Sequence, residues 1–325
     1  MDVIFNPQKI CEYHQEVTDT FKKYFLRLGY IEESPISIIS QDDHSVRFTG
    51  STSNTFKPYL EHKKMIPAEG IFLLQKSLRT QNAHAFLNDE AFPEWSSYFT
   101  EIGAMVRPED LKDLFEVSVG YLLKLGVKKE RINIKINSKD TDLMGCVKNS
   151  KLNLEIDRHD INYYRHEYGL PGILGRNFNL AISNKKGEFK DIGTIVIIEK
   201  NRKKIVAEMG FGVSTLIARI YSLTNSIEAS TISKIIPFKR GFTSKLEDAL
   251  STAIVMIKSG VKPASRDKGR ILRECLSAID YLRIKCGYSI EDIMEFTNKY
   301  EEEEFGIISN IADIIELYLK ESDLD

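Results

Sequence analysis

Phe72-Leu-Leu-Gln-Lys-Ser-Leu-Arg79, followed by Pro93-Glu-Trp-Ser-Ser-Tyr-Phe-Thr-Glu-Ile-Gly103, reads as two strands joined by a long loop. The first strand ends on an arginine; the second is aromatic and ends on a glycine. An arginine at a strand end can bridge two anions. Its planar fork and permanent charge suit that task better than lysine. Hairpins ending on arginine are common, so the meaning of this one depends on what surrounds it.

Apolar residues before the hairpin recur at helical spacing. Ile10, Tyr13, Val17, Phe21, Tyr24, Phe25 and Leu28 predict a helix over 8–28, stopped by Gly29. Short strands are expected at 36–40, 46–50, 71–78 and 97–105. Pro108 opens a second helix, with Leu111, Leu114, Phe115, Leu122 and Leu123 on its apolar side and Gly126 at its end. Further strands are expected at 132–136, 152–156, 178–182, 194–199 and 204–208. Gly210-Phe-Gly212 leads into a helix over 213–225. Beyond residue 240 the pattern is purely helical, with runs near 245–259, 266–285, 290–300 and 305–321. Strands and helices do not alternate, which argues against a parallel βαβ fold. The reading is α+β: a six-to-seven-stranded antiparallel sheet flanked by helices over 1–240, then an α-helical domain over 241–325.

Composition narrows the function. Lys and Arg total 45 against 47 Asp and Glu, so the chain lacks the basic surface of a non-specific nucleic-acid binder. No apolar run reaches the ~18 residues of a membrane span, and the start, Met-Asp-Val-Ile-Phe-Asn, lacks a basic and apolar leader. The cysteines Cys11, Cys146, Cys275 and Cys286 are scattered, which speaks against a disulfide framework or zinc site and for a cytoplasmic location. His159 and His166, beside Asp157, Asp160 and Glu167, read as a solvated polar segment rather than a metal cluster. The run Glu301–Glu304 reads as a solvated helix face.

Seven stretches, in order, resemble the catalytic core of alanyl-tRNA synthetase, a class II aminoacyl-tRNA synthetase. The first helix ends in Leu-Arg-Leu-Gly-Tyr, like the opening helix of that core. Phe48-Thr-Gly-Ser-Thr-Ser-Asn-Thr-Phe-Lys57 is similar to FTNAGMNQFK. Gln75-Lys-Ser-Leu-Arg79 is similar to QKCIR, and Tyr98-Phe-Thr-Glu-Ile-Gly103 to FFEMLG. Asp191-Ile-Gly-Thr-Ile-Val resembles EIWNIV, and Glu208-Met-Gly-Phe-Gly-Val resembles DTGMGL. Ser259 to Arg273 resembles DGVMPSNENRGYVLRR in the helical domain. The resemblance spans about residues 8–290, without the family's editing domain or that domain's metal-binding histidine and cysteine spacing.

The resemblance implies roles. Arg79 would bridge the amino-acid carboxylate and the α-phosphate of ATP. Phe99, or Tyr98 if strand parity runs the other way, would stack on adenine. His84 stands where the family has a histidine near the phosphates. Asn54 and Lys57 would line the entrance of the amino-acid pocket. Glu208 replaces the aspartate that pairs with the substrate ammonium, and Gly210 and Gly212 would permit close approach of the nucleotide. The family's WN pair is Gly193-Thr194 here, and Tyr164 takes the place of the tryptophan over the alanine methyl. ATP with Mg2+ is the implied cosubstrate, and no resident metal is expected.

The departures carry equal weight. Thr215 stands where the motif GLER has its arginine, with Arg219 one helical turn on as a substitute. The loop sequence RHH becomes Glu94-Trp95-Ser96. ATP chemistry needs positive charge on pyrophosphate, so Arg219, Lys76 or another base would have to compensate. DHIRS becomes Asp248-Ala-Leu-Ser-Thr252, and RRIIRRAVR becomes Arg273-Glu-Cys-Leu-Ser-Ala-Ile-Asp280. Glu274 and Asp280 would repel a tRNA acceptor stem. Three functions stay open: amino-acid adenylation with transfer to a carrier protein, peptide or small amine; a non-catalytic module binding amino acid or nucleotide; and a minimal alanine–tRNA ligase.

Overall fold

The computed structural model describes residues 5–39, 46–237 and 241–322. In chain order, α1 (Ile10–Arg27) and β1 (Ile31–Glu32) precede α2 (Thr52–Leu60). The hairpin is β2 (Ile71–Leu78), α3 (Ala83–Phe86) and β3 (Tyr98–Val106). Then come α4 (Leu111–Lys124), β4 (Ile132–Asn137), α5 (Thr141–Val147), β5 (Asn153–Asp157) and β6 (Arg165–Glu167). Three long strands follow, β7 (Ile173–Ser183), β8 (Phe189–Lys200) and β9 (Lys203–Gly212), and β9 runs straight into α6 (Val213–Tyr221). The chain closes with α7 (Thr243–Lys258), α8 (Asp267–Cys286), α9 (Ile290–Phe305) and α10 (Ile311–Ser322). No helix among the described residues is long and apolar enough to cross a membrane.

The α+β reading stands, with a larger sheet than expected. Among the described residues the sheet has nine strands: eight run in the order β1-β2-β3-β9-β8-β7-β4-β5, and β6 pairs with β7 at the side. The interior pairings are antiparallel; β1 with β2 and β4 with β5 are parallel. The segments 36–39 and 46–50 are not strands, and Ser40 lies outside the described residues. Their backbone is held by side chains and single bonds instead of a ladder. Gln75 Nε2 donates to Ile36 O (2.8 Å), its Oε1 accepts from Ile36 N (2.9 Å), and Thr49 N donates to Ile38 O (2.7 Å). Helix α2 was read only as part of a motif. Its signal is Asn54, whose Oδ1 accepts from the backbone N–H of Gly50 (2.9 Å) and Ser51 (3.2 Å) and caps the first turn.

Strand parity places the site. On β9, Ala207, Met209 and Phe211 face a core shared with Phe72, Ile102, Phe178 and Ile195. Helices α1, α4 and α6 cover that face, with Phe21 and Phe25 in ring contact with Phe72. The alternate residues, Glu208, Gly210 and Gly212, face the other way. There α2 packs Phe56, Tyr59 and Leu60 over one end of the sheet, leaving a cleft beside them. Gly103 lets α2 sit this close, because a Cβ there would lie 2.6 Å from Thr52 Oγ1.

The C-terminal helices share one core with the hairpin: Leu78, Phe86 and Tyr98 join residues of α7 to α10. Glu301–Glu304 is not wholly a solvated face. Glu301 is fully buried with Lys258 (3.3 Å) and Ser309, and Glu304 accepts from Lys76, Tyr98 and Thr231. Glu303 also pairs with Lys234 (2.7 Å), so three of the four carboxylates meet cations that sequence spacing could not reveal.

Candidate active site

Two cavities meet on the open face of the sheet. One, of about 320 Å³, lies under α2 and is lined by Ser53, Asn54, Lys57, Tyr168, Thr194 and Glu208 among others. The second, of about 620 Å³, runs over β3, β9, β8 and the start of α6; Phe99, Asp191, Gly212, Thr215 and Arg219 line it. Arg79, Glu101, His166, Thr194 and Gly210 line both and mark the junction.

Arg79 is held from three sides. Its Nε donates to Gly50 O (2.7 Å), its Nη2 pairs with Glu101 (3.3 Å), and its guanidinium sits 5.0 Å from the Phe99 ring centre. Glu101 also accepts from the first-turn N–H of Thr52 (2.6 Å), coupling Arg79 to α2. Strand parity decides between Phe99 and Tyr98. Phe99 faces the cavity, whereas Tyr98 is buried in the helical core with its hydroxyl on Glu304 (3.0 Å).

The smaller cavity centres on Glu208. One oxygen accepts from Ser53 Oγ (2.6 Å) and Thr52 Oγ1 (3.3 Å); the other is buried with no partner among the described residues. Burial, then the charge of Glu101, pushes its carboxyl up to about 8, against the two hydroxyl bonds. At the far end of the larger cavity Arg219 is 8% exposed, and its Nη1 is buried without a partner among the described residues. Burial lowers its pKa; the nearby charges of Glu94 and Asp191 oppose that. Thr215 lines the same cavity, where the resemblance implies an arginine.

Not every expected residue joins the cleft. His84 is exposed on α3 and lines a separate depression with Arg47, Arg270 and Glu274. Lys76 faces away, paired with Glu304 (2.5 Å); the lysines that line the larger cavity are Lys135 and Lys190. Tyr164 lines neither cavity and is 2% exposed. Its neighbour Tyr163 enters instead, its hydroxyl on Asp191, because the two sit on a tight 3₁₀ turn that splays adjacent side chains.

Other residues were missed as site residues. His166 is half-buried, not solvated, and its Nε2 has no partner among the described residues. Pairing of β6 with β7 carries it over the sheet opposite Gly175, where a Cβ would lie 2.7 Å from Val196 and 3.0 Å from Tyr168. Burial and the charge of Arg79 hold its imidazole below the ordinary histidine value. Asn177 donates to Asn179 (2.5 Å), Asn179 to Asp191 (2.7 Å), and Lys135 pairs with Asp191 (2.9 Å). A signal existed: Lys135 alternates with Ile134 and Ile136, and Asn177 and Asn179 flank Phe178 in their strands.

No protein-family model matches the chain. Over 304 residues it is 21% identical to the alanine–tRNA ligase of Acetivibrio thermocellus, covering 80% of this chain and 34% of the relative. The chain therefore spans about a third of that relative's length. Similar solved structures include the apo histidyl-tRNA synthetase of S. aureus (TM-score 0.44, 11% identity, 66% of each chain). Another is the asparaginyl-tRNA synthetase of Entamoeba histolytica in complex with asparaginyl-adenylate (TM-score 0.44, 11% identity, 69% of this chain and 66% of that one). The sheet topology and the sequence similarity together describe a class II synthetase-like core.

Proposed function

We propose that this protein activates an amino acid with ATP and passes the acyl group to an acceptor other than tRNA. One observation carries the reading: Arg79 stands where the two cavities meet. An amino acid in the smaller cavity would set its ammonium on the unpaired oxygen of Glu208, with Asn54, Lys57 and Thr194 around it. ATP in the larger cavity would lie over Gly210 and Gly212, with Phe99 under its base and the unpaired nitrogen of Arg219 at its far end. Both buried orphans are of the sign their ligand needs. The carboxylate then attacks the α-phosphorus in line, a carboxyl–phosphate bond forms, and pyrophosphate leaves. Positioning and charge stabilisation are the protein's contribution.

Mg2+ fits as a companion of the phosphates. Among the described residues no group of three His, Cys, Asp or Glu side chains could hold a metal alone. Mg2+ is usually bound through one or two carboxylates plus substrate phosphates, and Glu94, Glu101 and Asp191 line the larger cavity. Bound there, the ion would neutralise phosphate charge.

A non-tRNA acceptor is favoured by α8. Its Arg270 pairs with Glu274 (3.6 Å) and its Arg283 with Asp280 (2.7 Å), so acidic partners lie against cations that phosphates would use. An ATP–pyrophosphate exchange screen over the amino acids tests activation; no exchange with any of them sinks it. Charging of total tRNA tests the acceptor, and efficient charging would return the reading to a minimal alanine–tRNA ligase. Thr215 favours a second reading, a module that binds amino acid or nucleotide without turnover. Calorimetric binding without exchange would select it.

A further inference from the structure

Activation leaves a second step, and that step needs a base. An amine that attacks the activated carboxyl becomes a cation and must lose a proton. Six carboxyl and imidazole side chains line the two cavities: Glu94, Glu101, Glu167, Asp191, Glu208 and His166. Glu101 is engaged by Arg79 and the Thr52 N–H. Asp191 is engaged by Lys135, Asn179 and Tyr163. Glu208 is the acceptor for the substrate's own ammonium in the reading above. Glu94 lines only the larger cavity and Glu167 only the smaller, whereas His166 lines both.

His166 meets the geometric requirements. It lines both cavities, as Arg79 does, so it faces the place where carboxyl and α-phosphate would be joined. Its Nε2 is buried and has no partner among the described residues. Asn177 lies beside the ring and belongs to a buried chain through Asn179 to Asp191. Charged groups that share its cavities include Arg79 from the end of β2, Glu101 from β3, Glu208 from β9 and Lys57 from α2, with Glu94, Lys135, Lys190, Asp191 and Arg219 on the larger side. On its own strand are Glu167 and Arg165, the latter tied to Asp140 (2.8 Å). Burial and the charge of Arg79 lower the imidazole's pKa against the opposing contact with Asn177, which favours the neutral form a base needs.

We infer that His166 is the general base of acyl transfer, and that the acceptor it serves is an amine. The amine lone pair forms the C–N bond. The bond from the acyl carbon to the phosphate oxygen breaks, and AMP leaves with its electron pair. The proton on the new nitrogen passes to His166 Nε2. The inference rests on the adenylation reading and adds to it a catalytic residue and an acceptor class.

The test uses the full chain, the amino acid with the strongest exchange, and glycinamide as acceptor. Amide formation and pyrophosphate exchange are measured side by side for wild type, His166→Gln and His166→Ala. Transfer is expected to fall about a hundredfold or more, with exchange falling far less. Added imidazole is expected to restore transfer in His166→Ala and leave wild type unchanged. Exchange and transfer falling by the same factor in both variants, or imidazole without effect, would overturn the assignment. So would wild-type exchange with no transfer to glycinamide. Absence of exchange in wild type would instead bring down the activation reading itself.

Discussion

The two ends of the cleft are built on opposite charges. Under α2 a carboxyl group is buried with one oxygen unpaired among the described residues, a negative site once it ionises; beside α6 a guanidinium is buried with one nitrogen likewise unpaired. A buried polar group without a partner costs about 1–3 kcal/mol. The fold thus carries a deficit at each end that an amine at one and an anion at the other would offset. Between them Arg79 is fully braced, by Gly50, Glu101 and Phe99. Unpaired ends around a braced centre are the arrangement of a site that joins two ligands.

The largest effect should come from removing the centre. Arg79→Ala is expected to cut pyrophosphate exchange by about 10²–10³-fold, while calorimetry still detects each ligand alone. Equal loss of binding at both ends would show that Arg79 holds the cleft's shape and not its junction. Next comes the anchor of the hairpin. Asp248 accepts from Ser97 N (2.7 Å), Ser97 Oγ (2.8 Å) and Asn82 Nδ2 (2.8 Å), clamping both ends of the loop after Arg79. Asp248→Ala should cost about 3 kcal/mol, read as a lowered denaturation midpoint.

Arg219→Met separates stability from binding at the nucleotide end. It removes a buried, incompletely paired charge, so the ligand-free protein should gain about 1–3 kcal/mol. ATP affinity should fall tenfold or more. A stabilised variant with unchanged ATP affinity would remove Arg219 from the site.

The smallest effect is a pH dependence at the other end. The Glu208 carboxyl, raised to about 8, must ionise to hold an ammonium. Amino-acid affinity should therefore rise roughly fivefold to tenfold between about pH 7 and 8.5, with proton release on binding. The same raised carboxyl makes the folded state bind the extra proton. Its contribution to stability is fully present below the unfolded value and declines as pH rises toward 8. Glu208→Gln should abolish both dependences in titration calorimetry and pH-dependent denaturation.

Much of this was legible in the sequence. The hairpin was legible from its terminal arginine and aromatic second strand, and helical spacing marked α1, α4 and the C-terminal helices; β9 runs on to Gly212, past the 204–208 that the pattern gives. The motif order brought Arg79, Glu208 and Gly210 to one cleft and left the choice between Phe99 and Tyr98 to strand parity. Short-range patterns failed where contacts are long-range. Segments 36–39 and 46–50 have strand-like residues but are pinned by the Gln75 side chain and single bonds. Tyr164 and Tyr163 are adjacent, and only the turn between them decides which faces the cavity. Glu301 and Glu304 read as solvent-facing until α9 packs them on Lys258 and Lys76.

By itself the sequence determined the α+β class, the hairpin with its terminal arginine, and the face of β9 that carries Glu208, Gly210 and Gly212. Periodicity and motif order are local properties, fixed by backbone geometry before any packing. Only the tertiary structure decided that Arg219 and Glu208 end the cleft with unpaired atoms, that His84 and Lys76 lie outside it, and that His166 enters it. Those are matters of burial and of partners distant in sequence. Solvent exclusion and partner geometry exist only once β6, α2 and α6 close on the sheet.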